Sequence, residues 1–144
     1  MEENKNILES IYKDANMAVY TLNTLLKNLE NKDNKIKSDI EKIFEEYKKY
    51  ESEAKDLLIK NDLEVKEINM LSKLSSDIGV KKEVIDDNSD ASIADMLIKG
   101  VSMGSIDIDK CISVNKKADK KILEFAKDFH KFQEKTIEKL KKHL

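Results

Sequence analysis

The stretch Ser89–Val114, SDASIADMLIKGVSMGSIDIDKCISV, holds two of the chain's three glycines inside a run that otherwise has helical spacing. Ile93, Leu97, Val101, Ile108 and Cys111 fall on one helical face, with Gly100 and Gly104 on or beside it. A glycine in a helix interior costs about 1 kcal/mol relative to alanine. Two of them four residues apart predict that another backbone approaches closely, so Gly100 and Gly104 form a helix-packing notch. A second reading places a small apolar ligand against that notch, with Met96 and Met103 lining the crevice. Ser89 or Asp90 is well suited to cap the helix at its start. A long helix with an apolar stripe and a close contact needs partner helices, and the rest of the chain supplies them.

Charged residues of both signs make up 39% of the 144 residues, proline is absent, and every non-histidine basic residue is a lysine. This composition predicts long helices with salt-bridged outer faces in one all-α domain over 1–144. The net charge of -2 provides no general attraction for nucleic acid or an anionic membrane. Without arginine there is no bidentate clamp for phosphate or carboxylate. Cys111 is the only cysteine, which excludes an intramolecular disulfide and fits a reducing cytoplasm. The N-terminal MEENKN lacks the layout of a signal peptide, and no apolar run approaches the ~20 residues of a membrane span.

Working outward, Ile11, Ala15, Ala18, Leu22, Leu25 and Leu29 alternate four and three apart and predict a first helix from about Asn4 to Leu29. After a polar turn, with Asp33 or Asn34 as a cap, a second helix runs from about Asn34 to Lys60. Its seam is Ile36, Ile40, Ile43, Tyr47, Tyr50, Ala54 and Leu57. Glu45 with Lys49, Glu51 with Lys55 and Asp56 with Lys60 are expected i,i+4 pairs on its outer side. The short loop makes these two helices antiparallel neighbours. A third helical segment, about Glu67 to Val84 and holding Gly79, reads as a crossover back along the bundle. The last helix runs from about Ala118 to Lys142, with Ile122, Phe125, Phe129 and Phe132 on one stripe and His130, Gln133 and Ile137 on the next.

Catalytic and phosphate-binding motifs are missing from this pattern. Cys111 reads as a small core residue. His130 and Gln133, three apart in an apolar stripe, are either a hydrogen-bonded polar pair or contacts to a metal or ligand. Glu46 and Glu53 fall off the second helix's seam and are expected in solvent.

The stretches DANMAVYTLNTLL, EEYKKYESEAKDLL, SIADMLIKGVSMGSIDI and FHKFQEKTIEKL, taken in this order with a crossover between the second and third, resemble the ferritin-like superfamily. More narrowly, the chain is similar to small stand-alone ferritin-like domains of spore-forming Firmicutes. The resemblance implies a ferritin-like four-helix bundle with an extra helical crossover segment. Metal-binding members place a glutamate on the first and third long helices and Glu-x-x-His on the second and fourth. Here the corresponding residues are Met17 or Ala18, then Tyr47 and Tyr50 or Glu46 and Lys49, then Ile98 and Val101, then His130 and Gln133. The ligand set is lost, so the expectation is a non-enzymatic, cofactor-free cytoplasmic bundle that associates with a protein partner or with itself. The rival is a degenerate metal-binding or redox protein using His130 and Gln133.

Overall fold

The computed structural model describes residues 1–66 and 88–144. They form four long helices: α1 Glu2–Asn28, α2 Lys37–Lys60, α3 Asp90–Val114 and α4 Lys120–Lys141. The expected crossover helix over Glu67–Val84, with Gly79, lies outside the described residues.

Each helix forms because its apolar residues recur every three to four positions and bury one stripe. Ile7, Leu8, Ile11, Ala15, Leu22 and Leu25 of α1 are buried against Ile40, Ile43, Tyr47, Ala54 and Leu58 of α2. Leu29 and Ile36, both fully buried, pin the two ends of the short loop between them. The expected cap at Asp33 or Asn34 is not made, because α2 starts later, after Ile36, with no side-chain cap. Asn34 serves a tertiary role instead: its amide donates to Asn88 O at 2.7 Å and to Asp90 Oδ1 at 2.9 Å. Ser89 does cap α3, its Oγ accepting from the Ser92 N–H at 3.2 Å. On the outer side of α2, Lys49 pairs with Glu46 at 3.2 Å, the i,i+3 neighbour. Glu51 accepts from Asn16 of α1 at 2.9 Å.

Contacts at the two ends set the direction of each helix. The start of α3 meets the start of α2 through Asn34 and Asp90. The end of α3 meets the start of α1, where Asn6 donates to Asn115 at 3.0 Å. Asn4 and Asp119 exchange two hydrogen bonds, at 3.0 and 2.8 Å, and hold the start of α4 beside the start of α1. His143 and Lys139 reach Asp39 at 2.8 and 3.6 Å, so α4 finishes where α2 begins. The order is therefore up, down, down, up. Both α1 and α4 pack against all three other helices, whereas the backbones of α2 and α3 stay apart along their length. The cross-section is a rhombus with α1 and α4 on the short diagonal.

Tyr47 and Tyr50 of α2 meet the aromatic stripe of α4. Tyr50 stacks on Phe132 with centroids 5.1 Å apart, and Tyr47 meets Phe132 edge-on at 4.9 Å. No helix among the described residues is long and apolar enough to cross a membrane.

Candidate functional site

All four helices contribute one residue to a polar centre midway along the bundle: Asp14, Tyr47, Gly104 and Gln133. Gln133 is fully buried and its Nε2 donates to Asp14 Oδ2 at 2.6 Å and, more weakly, to Tyr47 Oη at 3.4 Å. Gln133 Oε1 is buried and meets no partner among the described residues. Leaving a buried amide oxygen unpaired costs about 1–3 kcal/mol. Such a cost within an otherwise apolar seam marks the place where local rules give way.

Gly104 is what makes room for this centre. A Cβ there would collide with Asp14 Oδ2 and lie 2.9 Å from Gln133 Nε2. The tight contact at this glycine is thus with polar side chains of α1 and α4. Gly100 plays no part in it: the residue is exposed, and among the described residues nothing lies within 4 Å of a Cβ built there. The two-glycine notch reduces to one glycine because Gly100 lies further round the helix, on its solvent side.

Burial pushes the Asp14 carboxyl up to about 6, and the nearby Asp107 carboxylate adds to the rise, while the bond from Gln133 opposes it. Burial likewise raises the Tyr47 hydroxyl, with Asp14's charge adding to the effect, so Tyr47 stays neutral. A shift this large on a carboxyl beside a cleft is a recognised mark of functional sites, though structural networks produce it too.

The cleft lies between α1 and α3, with a volume of roughly 540 Å³. Glu9, Lys13, Asp14 and Met17 line it from α1, and Gly104 and Asp107 from α3. One buried oxygen of Glu9, Oε1, has no partner among the described residues.

Other residues singled out in the sequence are placed apart. His130 does not converge with Gln133: it turns toward Glu134 at 3.4 Å, and Glu134 also accepts from Ser105 of α3 at 3.1 Å. Adjacent helical turns explain the split, since Gln133 faces the bundle axis and His130 faces the α3 side. Met96 is half-buried against the core, but Met103 is 68% exposed, so the two do not share a crevice. Cys111 is half-buried, with Sγ 3.6 Å from Asn6 O, and burial raises its thiol, which disfavours the nucleophilic thiolate. Glu46 and Glu53 are exposed. Among the described residues no three His, Cys, Asp or Glu side chains gather so that they could hold a metal ion.

The predicted seam of α1 does not include Asp14. Its signal is a four-three register, Ile7, Ile11, Asp14, Ala18 and Leu25, that shares Ile11, Ala18 and Leu25 with the predicted seam and takes Asp14 in place of Ala15. A carboxylate at an inward heptad position is the mark of a buried polar centre.

No protein-family model, curated protein or solved structure matches this chain.

Proposed function

We propose that the chain is a non-enzymatic, ferritin-like bundle that acts through protein association in the cytoplasm of a low-GC bacterium. The helix order supports the ferritin-like reading: an antiparallel pair, one long connection, then a second antiparallel pair. A di-iron centre in such a bundle takes a glutamate from each of two helices and Glu-x-x-His from the other two. Among the described residues the buried centre at the equivalent level holds one carboxyl, Asp14, with Tyr47, Gly104 and Gln133, and Asp107 stands outside it on the cleft.

The observation that carries the association reading is the outward side of α3. Met103, Ile106 and Val114 are 68%, 55% and 75% exposed there, beside the open Gly100. Helices α2 and α4 present mainly charged residues to solvent, as a bundle helix should. Clustered exposed apolar side chains on one helix mark an interaction face far better than scattered ones do.

The test is a photo-crosslinking residue placed at Met103 of the full chain in its source cells, with Lys127 on α4 as a control position. An adduct of defined mass is expected from position 103 alone, and Ile106→Glu should abolish it. No adduct, or equal adducts from both positions, refutes the reading.

A further inference from the structure

The sulfur-bearing side chains stand in unequal environments. Cys111 is half-buried, its Sγ lies 3.6 Å from Asn6 O, and burial favours its thiol form. Oxidation of a cysteine needs the thiolate and an open approach, so peroxide attacks Cys111 slowly. Met17 and Met96 are half-buried. Met103 is 68% exposed, and a thioether needs no deprotonation to react. Its neighbours keep it open. A helical side chain leans toward the N-terminus, over the residues three and four positions before it. For Met103 these are Gly100 and Lys99. Gly100 is exposed, and among the described residues nothing lies within 4 Å of a Cβ built there. The Lys99 ammonium pairs with Asp95 at 2.9 Å, one turn further away. Solvent therefore reaches the thioether across the bare glycine.

We propose that Met103 is a peroxide-modification site, and that its oxidation to the sulfoxide switches off association through the outward side of α3. The inference rests on the association reading above and names its regulation. In the reaction the thioether sulfur attacks one oxygen of hydrogen peroxide. An S–O bond forms as the O–O bond breaks, and the sulfur gives up two electrons. The proton on the transferred oxygen passes to the departing hydroxide, which leaves as water.

The product is polar where an apolar, adaptable side chain stood. Met103 lies between Gly100 and Ile106, so a partner that covers Ile106 and Val114 also covers the new oxygen. Burying a polar oxygen without a donor is costly, enough to weaken association about tenfold. Met1, 67% exposed, is open to peroxide as well, so the assignment to Met103 requires a variant that lacks this one sulfur.

The test uses the purified full chain with a photo-crosslinking residue at Val114. It is treated with hydrogen peroxide, the peroxide is removed with catalase, and peptide masses locate the added oxygen. Treated and untreated chains are then irradiated in an extract of the source cells. Met103 should gain oxygen before Met17, Met96 and Cys111, and the adduct yield should fall about tenfold. Met103→Leu keeps the apolar bulk without the thioether, and should form the adduct equally with and without peroxide. Oxidation of Cys111 ahead of Met103, or an undiminished adduct from chain oxidised at Met103, overturns the switch and leaves association standing. So does an equal loss of adduct in peroxide-treated Met103→Leu, which assigns the effect to another residue. No adduct from the untreated chain overturns the association reading, and the switch with it.

Discussion

Gly104→Ala and Gly100→Ala are the same chemical change four residues apart on one helix, and the structure predicts opposite signs. Each substitution gains about 1 kcal/mol of helix propensity. At Gly100 nothing among the described residues opposes that gain, because the position is open. At Gly104 the new methyl meets Asp14 Oδ2 and sits 2.9 Å from Gln133 Nε2 and 3.0 Å from Asp14 Cγ. Overpacking costs about 1–3 kcal/mol. Asp14 can escape only by swinging into the cleft, which breaks its 2.6 Å bond from Gln133 and strands the buried amide. A lost hydrogen bond to a charged group adds about 1.5–3 kcal/mol, less what Asp14 regains on reaching water. The net expectation is a loss of about 1–3 kcal/mol for Gly104→Ala and a gain of up to ~1 kcal/mol for Gly100→Ala. In a chain of 144 residues, 1 kcal/mol moves the melting temperature by about 3–4 °C. Thermal and urea denaturation followed by circular dichroism at two protein concentrations would measure both. The Gly104 effect should not depend on concentration, since the contact is within one chain. A rise in stability for both variants would show that the carboxylate yields without cost, and the account of the polar centre would fail.

Asp14→Asn should raise stability at neutral pH by up to ~3 kcal/mol, because the folded chain holds this carboxyl at about 6 against an unfolded value near 4. A raised carboxyl favours folding at low pH, and that contribution is lost as pH rises through about 6. Urea midpoints between about pH 4 and 8 should fall with pH for this reason only in the unmodified chain, and parallel profiles would contradict the assignment. The Asp39 carboxyl behaves in the opposite way: the bond from His143, and then Lys139, holds it below its usual range. Its contribution is present above the unfolded value and disappears as pH falls through the lowered one. Asp39→Asn should therefore cost a few tenths to ~1 kcal/mol at pH 5 and converge with the parent in stronger acid. Cys111, half-buried and held toward the thiol, should react with a disulfide reagent at neutral pH more than about tenfold slower than an unfolded cysteine. A rate equal to that of the urea-unfolded chain would refute this.

Sequence alone determined the four helices and nearly where each begins and ends, because a period of three to four in apolar residues can be satisfied only by a helix packed on one side. It also determined the Ser89 cap, since that hydrogen bond closes within one turn. The inward positions of Tyr47, Tyr50, Phe129 and Phe132 were legible as well, since all lie in apolar seams, whereas their meeting across α2 and α4 was not. Tertiary structure alone decided which polar residue reaches the axis. Periodicity assigns a residue to a face but leaves the rotation of the helix about its axis free by tens of degrees. That rotation separates Gly104 from Gly100, Gln133 from His130, and Asp14 from the Met17 and Ala18 expected at its level. Likewise Asn4 with Asp119, 115 residues apart, and Asn34 with Asp90, 56 apart, meet only when the bundle closes. Each of those asparagines is an ordinary turn or cap residue in the sequence. Its tertiary use arises because a buried or half-buried amide must find partners, and only the closed bundle determines which ones stand within reach.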